Sequence, residues 1–182
     1  MSHRFVSILC LYTLFSFYSK ASGQATACSC AVLVNPEYSG EIRLLKSPGG
    51  ELVRSLRHNL AQDDFVVLTL QKSTAEYFYV SASYAIAGPI ADGWIRKAEF
   101  IGVYSKVYAE GDSLLLRQLP DNSAAPVQVI PEYLPHLLKV VDCQKNGWLK
   151  IETELGGQRI SGWLAPELQC ANPYTTCSES GL

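Results

Sequence analysis

The sequence predicts an all-β protein. Three observations carry that reading. The chain holds 10 Tyr and 3 Trp beside 13 Gly and a single Met. Its apolar residues fall in short runs bounded by Gly, Asn and Pro, not at helical spacing. The same run-and-turn pattern is written twice, about 70 residues apart.

The first element is an export signal. Arg4 is followed by an uncharged, mostly apolar stretch from Phe5 to Tyr18. As a helix its fourteen residues span about 21 Å, short of a bilayer core of roughly 30 Å. Ala21-Ser22-Gly23 then supplies the small residues a signal peptidase reads, which places the cut before Gln24. Residues 1–23 are thus a signal peptide and the product is exported, periplasmic or extracellular. No second apolar run reaches spanning length, so the mature chain has no predicted transmembrane segment. A lipid anchor at Cys28 is the competing fate: Ala25-Thr26-Ala27 supplies small residues but no large aliphatic three positions before the cysteine.

Composition bounds the rest. The 182 residues are 48% hydrophobic and 18% charged, enough to bury a core. The charge is 15 basic against 17 acidic, net −2, and losing Arg4 and Lys20 takes the mature chain to 13 − 17 = −4. No broad basic footprint for nucleic acid is present.

Export makes disulfides the first reading of the cysteines. Cleavage removes Cys10 and leaves Cys28, Cys30, Cys143, Cys170 and Cys177. Cys170 and Cys177 flank the turn-prone Asn172-Pro173-Tyr174 and form the expected pair. Cys143 is then the expected unpaired thiol. A metal is not expected: Cys28-Ser29-Cys30 is too tightly spaced for a zinc knuckle, and only His58 and His136 remain to complete a site. No cofactor is expected.

The repeat follows in order. Leu44-Leu45-Lys46-Ser47-Pro48 opens one unit and Leu116-Arg117-Gln118-Leu119-Pro120 the other, 72 residues later. Strands are expected at Phe65–Leu70 and Leu137–Val141, rich in aliphatic and β-branched residues. Lys145-Asn146-Gly147 turns the second of these into Trp148-Leu149-Lys150-Ile151, which answers Glu76-Tyr77-Phe78-Tyr79-Val80 at an offset of 71. Leu155-Gly156-Gly157-Gln158 makes the next turn. Ser161-Gly162-Trp163-Leu164 answers Asp92-Gly93-Trp94-Ile95 at an offset of 69, and Ala165–Leu168 reads as a single helical turn.

These motifs resemble bacterial SH3-like (SH3b) domains, whose pattern is an opening Leu/Val-Arg-x-x-Pro, an apolar strand, an Asn-Gly-Trp strand and a closing Gly-Trp strand with a one-turn segment. The second unit matches best. The first departs, with Leu45 in place of the arginine and Tyr77 in place of the first tryptophan. The resemblance covers roughly residues 38–170 and implies two small barrels in tandem, residues 35–103 and 105–170, followed by a C-terminal tail, 171–182. The apolar link around Val103–Tyr108 predicts barrels packed together.

No catalytic constellation stands out. Cys143 and His136 lie seven residues apart around one expected strand, and Asp63-Asp64 reads as a solvated turn before Phe65. Gly49-Gly50 and Gly156-Gly157 lack a phosphate loop's spacing. The expectation is a non-enzymatic binding module. Alternation places Tyr77, Tyr79 and Trp148 opposite the inward aliphatics, as an aromatic shelf or an inter-unit filling, with Arg96, Lys97 or Lys150 for polar anchoring. Trp94 and Trp163 are expected to pack the closing strands. The resemblance implies a cell-wall peptide or glycan, such as peptidoglycan peptide, as ligand. The rival is an inhibitor, immunity or assembly factor that binds an envelope protein.

Overall fold

The computed structural model describes residues 24–106, 112–131, 134–174 and 177. The expected signal peptide lies outside them, as do parts of the link and of the tail. The described residues form thirteen strands and two single 3₁₀ turns, with no α-helix: β1 (Thr26–Val34), β2 (Ile42–Leu45), β3 (Leu52–Leu56), β4 (Val66–Ser73), β5 (Tyr77–Tyr84), β6 (Gly88–Arg96), β7 (Ile101–Ser105), β8 (Leu114–Arg117), β9 (Pro126–Ile130), β10 (Leu138–Cys143), β11 (Leu149–Leu155), β12 (Gln158–Leu164) and β13 (Gln169–Cys170). No helix there is long and apolar enough to cross a membrane.

The all-β expectation holds, but the strands make one large antiparallel sheet instead of two closed barrels. Its order is β3-β2-β6-β5-β4-β1-β7-β10-β11-β12-β8-β9, with β13 also on β7. Read outward from β1 and β7, the two arms carry the same strands: a three-strand meander, then a hairpin at the rim. The repeat extends to irregularities of pairing. Bulges fall at Val53 of β3, opposite Leu44 and Leu45, and at Val127 of β9, opposite Leu116 and Arg117; they fall again between Leu70 and Lys72 in β4 and between Val140 and Asp142 in β10. A bulge bends its strand and raises its twist, so each arm curls at corresponding places.

The Gly-Trp motif has a steric cause. β2 crosses β6 at Leu45↔Trp94, and β8 crosses β12 at Arg117↔Trp163. A Cβ on Gly93 would stand 3.0 Å from the Leu44 Cβ, and one on Gly162 would stand 2.8 Å from the Leu116 Cβ. The crossing strands come too close for any side chain before the tryptophan. Gly147 is held at φ +87, and a Cβ there would stand 3.1 Å from Pro166.

The sequence reading placed neither of the two central strands, β1 and β7, nor the rim strands β3 and β9 and the short β13. β1 begins outside the expected first unit and β7 overlaps the expected link. β1 pairs with β4 and, at Leu33↔Gly102 and Val34↔Ile101, with β7. β7 in turn pairs with β10 and, at Tyr104↔Cys170, with β13. Thus β7 returns to β1 as β13 returns to β7. It ends the first half and begins the second. Cys28, Cys30, Val32 and Val34 point from β1 into the core, where they join Phe78, Val80, Val103, Leu138, Val140, Leu149 and Ile151 in one continuous cluster.

The cysteines settle the pairing. Cys170–Cys177 is a disulfide, as expected. Cys143 is not free: it bonds Cys28, 115 residues away, and ties β1 to the end of β10. That bond also occupies the sulfur a lipid anchor would need. Among the described residues the free thiol is Cys30, buried, with its Sγ 3.5 Å from the Gln144 carbonyl; burial pushes the thiol pKa up. Two disulfides fit an oxidising compartment.

Asp63-Asp64 also differs from the solvated turn expected. Asp63 is exposed in a left-handed conformation (φ 50), whereas Asp64 is buried and accepts the Ile86 and Ala87 N–H groups, each at 2.9 Å. It clamps the β5–β6 turn.

Candidate functional site

Antiparallel pairing of β4, β5 and β6 puts every second residue on one face. Phe78 and Val80 go into the core with no exposed surface. Tyr77 and Tyr79 lie on the opposite face, half-buried, as alternation predicts. Register sets Tyr79 directly opposite Trp94 on β6, with ring centroids 5.3 Å apart and planes tilted by 54°. Lys72 of β4 reaches over the Tyr79 ring, its Nζ 5.6 Å from the centroid. Tyr77 pairs with Arg96, which is exposed and 3.9 Å from Glu76. The Tyr77 hydroxyl reaches toward the β2–β3 turn, 3.7 Å from where a Gly49 Cβ would stand. These side chains form a half-open aromatic shelf with cations along it.

Trp148 does not join this shelf. It is 5% exposed and packs with Trp163 (8%) and Ala165 (4%) in a small separate cluster on the other arm. The closure is local. Ala165 leads into the 3₁₀ turn Pro166–Leu168, Pro166 lies on Gly147, and the Gln169 side-chain amide donates to the Gly147 and Leu164 carbonyls, each at 3.0 Å. Conversely, Trp94, expected to pack the closing strand, is half-buried and belongs to the shelf. Lys72 was missed, since only the β4–β5 register brings it to Tyr79.

Lys97 is not an anchor of the shelf either. Its side chain, 13% exposed, turns inward over the Phe78 ring at 4.5 Å. There it donates to Ser73 Oγ at 3.0 Å and to the Val141 carbonyl. Ser73 Oγ donates to Asp142 Oδ1 at 2.5 Å, and that oxygen also accepts the Cys143 N–H at 2.9 Å. Burial lowers the Lys97 pKa, Asp142 works against that shift and Lys150 adds to it. The network links β4 to β10 across the middle of the sheet. A serine beside a lysine resembles a nucleophile with its base, but here the serine proton goes to a carboxylate and the lysine donates. That polarity is structural.

Both histidines among the described residues are hydrogen-bonded. His58 Nδ1 accepts the Val66 N–H at 2.9 Å, which leaves the proton on Nε2 facing the Asn35 carbonyl at 3.0 Å. His136 is exposed, with Nε2 2.7 Å from Thr153 Oγ1. No cluster of metal-ligating side chains occurs among the described residues. Cys143, held in a disulfide, offers His136 no thiolate.

No family model, no curated protein and no solved structure matches the chain, so its function is read from its own geometry.

Proposed function

We propose that the chain is an exported, non-catalytic binding module of two SH3-like units in series, and that it recognises a cell-envelope ligand such as peptidoglycan peptide. The observation that carries this is the half-open shelf of Tyr77, Tyr79 and Trp94 under Lys72. Aromatic faces left partly uncovered beside cations suit the stacking of a peptide or sugar with polar anchoring at its edge. The SH3-like reading is supported by the repeated meander, hairpin and returning strand of each arm. Trp148, buried among its neighbours, supports its own arm and not the ligand.

Co-sedimentation of the chain from Gln24 onward with purified sacculi, at two salt concentrations, tests the reading. Saturable binding that survives higher salt and falls at least tenfold in Tyr79→Ala is expected. Absence of binding at both salts overturns it.

A second reading, an inhibitor, immunity or assembly factor of the envelope, is favoured by one observation. The rim strand β9 carries no charge and exposes Val127 (44%) and Val129 (49%), a strand edge open to an extended segment of a partner. Its test is Val129→Lys: lost capture of an envelope protein, with sacculus binding absent throughout, would select this reading.

A further inference from the structure

Where the arms meet, a cleft of about 340 Å³ opens beside the Lys97 network. Its walls come from both arms: Gln24 and Thr26 at the start of β1, Ser73 and Thr74 at the end of β4, Lys97 after β6, Asp142 on β10 and Lys150 on β11. We propose that this cleft binds the free carboxylate of a short peptide.

Charge count comes first. The charged side chains of the walls, two lysines and one carboxylate, sum to +1 (2 − 1), and the Gln24 α-amino group freed by cleavage adds positive charge beside them. A dianionic phosphate would bring twice the charge of a carboxylate against Asp142. Donor count agrees. A lysine carries three N–H bonds, and Lys97 places two, on Ser73 and Val141. Asp142 Oδ1, at 4.0 Å, is beyond hydrogen-bond distance for the third. Lys150 has no carboxylate within 4.0 Å among the described residues, although Asp142 is its cross-strand neighbour. Two cations close enough to disfavour one another, one of them largely out of water, gain most from an incoming anion.

The surrounding groups select a peptide. The Thr26 hydroxyl and the Gln24 amide can both donate to a peptide carbonyl and accept from its N–H, whereas the Thr74 hydroxyl is held by the Tyr77 backbone, donating to its carbonyl and accepting its N–H. The site does not rest on the aromatic shelf, because Ser73 and Phe78 face the side of β4 and β5 opposite to Tyr77 and Tyr79.

The test uses N-acetyl-alanyl-alanine and its C-terminal amide as probes, titrated into the isotope-labelled chain from Gln24 onward. The acid is expected to saturate, with shifts centred on Thr26, Thr74 and Lys150, and the amide to bind about tenfold more weakly. Lys150→Gln should remove the acid's advantage, while Tyr79→Ala leaves it intact. Equal binding of acid and amide, shifts elsewhere, or no saturation by about 10 mM overturns the proposal. If Tyr79→Ala alone abolishes acid binding, the carboxylate belongs to the shelf and the cleft is excluded.

Discussion

The two arms of the sheet use one register for two different surfaces. On the first arm, Tyr79 faces Trp94 and both stay half-open; on the second, the matching cross-strand pair is Lys150 and Trp163, and the tryptophan is covered. Strand pairing does not make the difference. The segment after the closing strand does. In the second arm Ala165 packs on Trp148 and Trp163 and Pro166 lies on Gly147; in the first, the corresponding turn, closed by the Ile101 N–H on the Ala98 carbonyl, carries Phe100 onto the Tyr38 ring instead. A duplicated scaffold can therefore hold one aromatic site closed for stability and leave the other open for binding.

The strongest challenge to that comparison is to uncouple the arms. Replacing both Cys28 and Cys143 by Ser removes a crosslink spanning 115 residues, for which chain entropy predicts a loss of about 5 kcal/mol. Removing Cys170–Cys177, separated by seven residues, should cost about half that, roughly 2.5 kcal/mol. Urea denaturation of both double variants measures the ratio; equal losses would mean the long bond does not couple the arms.

Next comes the contrast in the aromatics themselves. Trp163→Ala empties a buried position and should cost about 3–5 kcal/mol. Tyr79→Ala, half-exposed, should cost about 1 kcal/mol while weakening ligand binding. A Tyr79→Ala loss as large as that of Trp163→Ala would make the shelf a core. The glycines sharpen the likeness of the arms: Gly93→Ala and Gly162→Ala should each cost about 1–3 kcal/mol, because each methyl would meet a crossing strand. A neutral result at either, in the same denaturation series, would show that its crossing strand yields.

The smallest effect is a titration. Lys97 should lose its proton below the ordinary lysine value of 10.5 because it is buried. Asp142→Asn should lower it further and Lys150→Gln should raise it, both readable by NMR at the Lys97 side chain. The unfolded chain holds the extra proton between the folded and unfolded pKa values. Stability should therefore rise with pH through that interval, the penalty being complete at neutral pH.

What could be read from sequence was whatever depends on near neighbours. The strand from Val66, the strand from Leu138, the Asn146-Gly147 turn and the eight-residue Cys170–Cys177 loop are all written in adjacent residues. The shelf was half-legible: alternation gave Tyr77 and Tyr79, but only the register across β4, β5 and β6 adds Lys72 and Trp94. Trp148 alternates like Tyr77 and is nonetheless buried, because the residues that cover it come from beyond the next strand. Cys28–Cys143 had no local sign at all. β7 was hidden for another reason: a short apolar run between two units reads as a connector until both of its edges are seen to be occupied.

That shared strand has a consequence for how the molecule comes apart. A cut after Phe100 strips the first arm of its last strand, and a cut after Ser105 strips the second of its first. Neither arm can be excised whole. Heating should accordingly melt the chain in a single calorimetric event, and a limit digest should yield no lasting half-size fragment.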